Sequence, residues 1–163
     1  MGRGAARPAP RATQAQADSG HFSGHGNHGE HGGRERLSGL YFQGADGQAQ
    51  LVSTPALTET FGAAGASVKL VVLNACYSDV QAEALLAHVD CVVGMGGAIH
   101  DDSARNFAIG FYGGLGERES VAAAYKQGRA AISVDGLPDS ERPQLKVRAG
   151  VNVHQLVLAA GLP

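Results

Sequence analysis

Apolar and polar positions fall into blocks of two kinds along this chain. Residues 68–73 (VKLVVL) form a nearly continuous apolar run bounded by turn residues, and residues 90–95 (DCVVGM) form a second. Short runs without alternation predict strands buried on both faces. Between and after them the period lengthens to that of helices, over residues 79–88, 101–115 and 120–133. In the second of these, Phe107, Phe111 and Leu115 recur at four-residue spacing on one face. Upstream, residues 40–43 (LYFQ) and 48–52 (QAQLV) flank a turn containing Asp46-Gly47 and predict a hairpin. Ser53 is placed to cap a helix reaching about residue 64, with Pro55 in its first turn. A short strand at 21–23 leads into a glycine- and histidine-rich loop at 24–33 (GHGNHGEHGG). The tail, 144–148 and 153–159, is ambiguous and fits segments closing the edge of a sheet.

Strands alternating with helices at these lengths predict an α/β fold, layered around a mostly parallel sheet. In such sheets chemistry gathers beyond the carboxyl ends of the strands. Two segments lie there: His25 follows the strand at 21–23, and Cys76 follows the strand at 68–73.

The length of 163 residues fits one domain. Residues 1–20 carry Arg3, Arg7 and Arg11, with no acid before Asp18 and no apolar stretch of the kind a secretory signal needs. They read as a disordered leader, which leaves 21–163 as the domain. A net charge of −2 points neither to nucleic acid nor to an anionic membrane surface as a partner. No apolar run approaches the length of a spanning helix. Two unevenly spaced cysteines, Cys76 and Cys91, do not make a disulfide scaffold, so a cytoplasmic location is the expectation.

A thiol between a buried strand and a following helix sits near the partial positive charge of the helix start, which favours thiolate. A nearby imidazole can take the thiol proton and return it to a leaving amine. The oxyanion formed on attack needs donors, and the Gly26 and Cys76 backbone N–H groups are the natural candidates. A free cysteine is also often a small buried hydrophobe, and Cys91, inside an apolar strand, suits that description. Cys76 has the polar neighbours Asn74, Tyr77, Ser78 and Asp79, and position alone leaves both readings open.

His25 precedes Cys76 by 51 residues, against about 50 between the two catalytic residues of caspases. The segments HFSGHG (21–26) and VVLNACYS (71–78) resemble the histidine and cysteine motifs of the CHAT family, caspase-like peptidases related to caspases, metacaspases and separase. Residues 92–129 resemble the CHAT segment that follows the cysteine, so the resemblance spans roughly 21 to 145. It implies a caspase-like three-layer α/β/α sandwich, with His25 as catalytic base, Cys76 as nucleophile and His21 as structural support. Family members normally have another strand and helix before the histidine strand. Residues 14–20 lack the apolar pattern for them, which predicts an N-terminally truncated domain. Caspases carry Gln-Ala-Cys where this chain has Asn74-Ala75-Cys76, which argues against cleavage after aspartate.

The implied function is a cysteine endopeptidase that cleaves a protein substrate through a thioester acyl-enzyme and needs no cofactor. Separase-like relatives place acidic residues for a P1 arginine where this chain has Asp101 and Asp102. Asp101 is equally suited to cap the helix it precedes, and one residue can serve both ends. Asn74 lines the same expected pocket, and Arg105 reads as a solvated helix residue. Relatives are often fused to sensor domains, which implies an activating sensor or regulatory protein as partner. The alternative is a catalytically inactive caspase-like module serving as a protein interaction domain. His21, His25, His28 and His31 invite a zinc reading. Ligands must converge at roughly 2.0–2.1 Å, however, and a glycine-rich loop is seldom organised for that, so no metal site is expected.

Overall fold

The computed structural model describes residues 19–26, 39–43, 46 and 48–158. A strand at Ser19–Gly26 (β1) is followed by a hairpin of Gly39–Gln43 (β2) and Ala49–Ser53 (β3) and a helix at Thr54–Ala64 (α1). Next come Leu70–Ala75 (β4), Asp79–Leu85 (α2), Cys91–Met95 (β5), Asp101–Gly116 (α3), Val121–Val134 (α4) and Pro143–Val147 (β6). The six strands form one sheet in the order β3-β2-β1-β4-β5-β6.

The centre of this sheet is parallel and its flanks are not. β1 pairs with β4 in parallel over six residues, from Ser19 opposite Leu70 to Gly24 opposite Ala75, and β4 pairs with β5 in parallel. The β1–β2, β2–β3 and β5–β6 pairs are antiparallel. The expected mostly parallel sheet is therefore corrected to a mixed one. A tight hairpin can only return antiparallel, and β2 and β3 join the sheet together; β6 runs back along β5 from Met95 opposite Pro143 to Cys91 opposite Val147.

Alternation along β4 and β5 sends side chains to two separate cores. Leu70, Val72, Cys91, Val93 and Met95 meet Phe107 and Phe111 of α3 and Val121, Ala124 and Ile132 of α4. Val71, Leu73, Ala75 and Val92 meet Leu57 of α1 and Ala82 and Leu85 of α2. Helices thus cover the sheet's centre on both faces, which is why these two strands read as continuous apolar runs. The four-residue stripe on α3 is inward-facing as its period predicts: Phe107 and Phe111 are fully buried and Leu115 packs beside them.

Ser53 caps α1 as its sequence position predicts, and Ser120, expected as the first helical residue, is instead the cap of α4. Ser53 Oγ accepts the Ala56 N–H at 3.3 Å, and Ser120 Oγ accepts that of Ala123 at 3.2 Å. In the tail, the segment at 144–148 becomes edge strand β6, whereas described residues 153–158 form no strand. Their carbonyls serve α4 instead: Leu156 O accepts the Val121 N–H at 2.9 Å and Val153 O that of Ala122 at 3.1 Å. These are first-turn amides that a helix cannot satisfy internally.

β1 is longer than the sequence suggests and runs through Gly26. His25 and Gly26 therefore belong to a strand, opposite Tyr41 and Leu40 of β2, and not to the glycine-rich loop. Apart from Ser19 and Gly20, the leader expected over 1–20 lies outside the described residues, as do His28 and His31.

Candidate active site

β4 ends at Ala75, and Cys76 and Tyr77 turn the chain toward α2. Tyr77 has φ 56°, the left-handed region that a side chain adopts at a cost. Its N–H donates to Gly97 O at 3.1 Å, which holds the turn against the loop after β5. Such local strain persists where the surroundings impose it.

The last parallel pair joining β1 to β4 is Gly24 opposite Ala75. One step further along each chain stand His25 and Cys76. The histidine and the cysteine thus occupy corresponding positions at the carboxyl ends of two neighbouring parallel strands, and such strands lie about 4.8 Å apart. Gly26 follows His25 as the last residue of β1.

Cys76 is a free, partly buried thiol. Its sulfur meets one residue twice: the Ile99 N–H donates to Sγ at 3.4 Å, and Sγ lies 3.6 Å from the Ile99 carbonyl oxygen. Cys91 is a different kind of thiol. It is fully buried, and burial, reinforced by the charge of Asp90, pushes it up from 9.0 to about 12. A thiol so placed stays protonated and inert, as its position in an apolar strand suggests.

Asn74 and Asp101 lie on either side of this turn in sequence. Asn74 Nδ2 donates to the Ala104 carbonyl of α3 at 3.3 Å, so the amide ties β4 to that helix. Asn74 Oδ1 is buried with no partner among the described residues. Asp101 is exposed in the first turn of α3, two residues beyond Ile99. It does not cap the helix: His100 holds the N-cap position with extended backbone and no side-chain cap bond. Asp101 and Asp102 in the first turn still suit the helix dipole. Asp102 lies 3.6 Å from Arg105, and both side chains are solvated, as expected for Arg105. Asp101 makes no ion pair among the described residues.

Sequence reasoning missed a second histidine, the residue after Ile99, which touches the Cys76 sulfur. His100 Nδ1 lies 2.7 Å from Asp139 Oδ2, and the His100 N–H donates to the same oxygen at 2.9 Å. The imidazole is largely exposed, whereas Asp139 is only 6 % exposed. Burial works against ionisation of Asp139, but the His100 N–H and imidazole, with the Ser103 hydroxyl nearby, outweigh it. They hold the carboxyl below its ordinary range. Ser103 Oγ itself is buried and meets no partner in hydrogen-bonding geometry. Asp139 reads in sequence as an ordinary turn residue after Pro138, and it lies 39 residues from its partner. The only local hint is a histidine standing where Ser, Asp or Asn would normally start a helix.

Comparison with protein-family models matches residues 5–145 to the CHAT domain. The chain belongs to the CHAT-domain family, a caspase-like family associated with peptidases. The match starts upstream of the motifs that suggest it and ends at the residue where they were expected to end. A search of curated proteins finds no significant match. No helix among the described residues is long and apolar enough to cross a membrane.

Proposed function

We propose that this protein is a cysteine endopeptidase of caspase-like type. The observation that carries the reading is the register of β1 on β4, which sets His25 and Cys76 at adjacent strand ends in a CHAT-family chain. Cys76 Sγ attacks the scissile carbonyl carbon and His25 takes the thiol proton. The tetrahedral oxyanion collapses to a thioester as His25 protonates the leaving amine, and water hydrolyses the thioester with His25 again as base. The Gly26 and Cys76 N–H groups serve as oxyanion donors. Gly26 brings a backbone without a side chain to the end of the strand beside the nucleophile.

Asp101 reads a basic P1 side chain in this proposal. Its support is exposure, the lack of an ion pair among the described residues and its position two residues from Ile99, which touches the nucleophile. Asn74 contributes its unspent Oδ1 to the same pocket. The helix-covered sheet is read as a caspase-like three-layer sandwich. The substrate is a protein, an activating sensor or regulatory protein is the expected partner, and two free thiols support a reducing, cytoplasmic setting.

The test is a fluorogenic peptide library varied at P1. Turnover is expected after Arg or Lys, and it is lost in Cys76→Ala and His25→Ala. Turnover that survives Cys76→Ala sinks the nucleophile assignment, and a wild-type chain that cleaves no member even with its activating partner favours the interaction-module reading. Asp101→Asn should depress cleavage after basic residues selectively, and an unchanged P1 profile rules Asp101 out of the pocket.

A further inference from the structure

The loop at 96–100 joins β5 to α3 and is gripped from two sides. On one side Gly97 O accepts the Tyr77 N–H at 3.1 Å, and Ile99 meets the Cys76 sulfur through both its N–H and its carbonyl. On the other, the Gly96 N–H donates to Arg142 O and the His100 N–H to Asp139 Oδ2, each at 2.9 Å.

The Ile99 carbonyl and the His100 N–H belong to one peptide unit. A trans peptide is planar and stiff, and its C=O and N–H point in opposite directions. Asp139 therefore holds one end of a rigid lever whose other end faces Cys76 Sγ. The carboxylate is well fixed for this. It is 6 % exposed, and its residue's own carbonyl accepts the Arg142 N–H at 2.9 Å. The turn around it is pinned to α4 by Arg129, whose Nε donates to Ser140 O at 2.8 Å and whose guanidinium pairs with Glu141.

We infer that Asp139 is a positioning residue for Cys76, acting through the His100 N–H and the Ile99 carbonyl of the shared peptide. The inference rests on the peptidase reading for its consequence in turnover, but not for the lever itself. His100 Nδ1 adds a second contact to the same carboxylate, and the backbone link does not depend on it.

The test compares Asp139→Ala, Asp139→Asn and His100→Ala in the full chain. Backbone amide hydrogen exchange at Ile99 and His100 is measured alongside kcat and KM on the best library peptide. Asparagine can still accept the His100 N–H, and His100→Ala keeps that N–H. Asp139→Ala should raise exchange at both amides and lower kcat, each by about tenfold, with KM nearly unchanged; tenfold corresponds to one hydrogen bond of about 1.4 kcal/mol. Asp139→Asn and His100→Ala should stay within about threefold of wild type, as expected when the backbone bond survives. Unchanged Ile99 exchange in folded Asp139→Ala overturns the inference, and so does a loss in Asp139→Asn equal to that in Asp139→Ala. If Asp139→Ala does not fold, a larger rise in Ile99 exchange in either of the other two variants overturns it. A wild-type chain that cleaves nothing bears only on the peptidase reading and leaves the exchange data to decide the role of Asp139.

Discussion

Ser78 and Met95 are joined through one buried hydroxyl: Ser78 Oγ accepts the Met95 N–H at 2.9 Å while donating to the Leu73 carbonyl at 2.9 Å. The ends of β4 and β5 are thus tied together next to the Cys76–Tyr77 turn. Ser78 is fully buried, so no water can replace the hydroxyl without rearrangement. Ser78→Ala should lower stability by about 1–3 kcal/mol, because two buried backbone groups lose their partner. A urea denaturation curve with a lower midpoint and unchanged slope would show it.

Gly94 allows α2 to lie close to β5. A Cβ there would come within 2.9 Å of Ala82 Cβ and 3.1 Å of the Ser78 carbonyl oxygen, both short of ordinary contact. Gly94→Ala should therefore push the start of α2 outward at a cost of about 1–3 kcal/mol. Because α2 begins just after the Cys76–Tyr77 turn, peptide cleavage should fall along with the melting temperature. A variant with wild-type melting would show that the helix has room to move.

The two thiols should react differently. Iodoacetamide at neutral pH is expected to modify Cys76, which is partly exposed, and to leave Cys91, fully buried and protonated, untouched in the folded chain. Peptide mapping after brief labelling distinguishes them. Appreciable early labelling of Cys91 would contradict its burial.

Cys91 also sets an alkaline limit. Its folded value is raised, so above its ordinary value the unfolded chain releases a proton that the native state retains, and stability falls as pH rises. The loss should begin near pH 9.0 and continue to about pH 12. Burial also raises Tyr112, which extends the same trend. Cys91→Ala should flatten the first part of the decline in denaturation curves collected across this range.

Asp139 acts with the opposite sign. Its folded value is lowered, so its contribution is complete above 3.8 and disappears as pH falls through the folded value. The part of acid destabilisation that Asp139 carries should therefore fall below about 3.8, and Asp139→Asn should remove that part. Superimposable acid transitions for the two chains would refute this.

The central strands, the hairpin and the Ser53 cap were legible because each is written locally, in an apolar run, a turn or a single hydroxyl. Two limits of legibility have physical causes. Antiparallel flanks depend on which sheet edge a hairpin or tail meets, and residues 49–53 look the same whether that partner lies inside or outside the parallel core. The candidate Cys–His pair was visible through its flanking motifs, but the support behind the cysteine was not. Ile99 contacts Cys76 through its backbone, which any residue could carry, and Asp139 lies 39 residues along the chain from His100.

The placement of β1 has a consequence for how the site comes into being. The first described strand to leave the ribosome lies in the middle of the sheet, between the hairpin and β4. Its hairpin neighbour is available early, but its parallel neighbour is not made until Leu70–Ala75 emerges. Contacts this distant in sequence must overcome the entropy of closing the intervening chain. A nascent chain therefore carries its histidine strand half-paired for some time, and histidine and cysteine become neighbours only once β4 docks. That order of assembly keeps His25 and Cys76 apart until β4 has been synthesised.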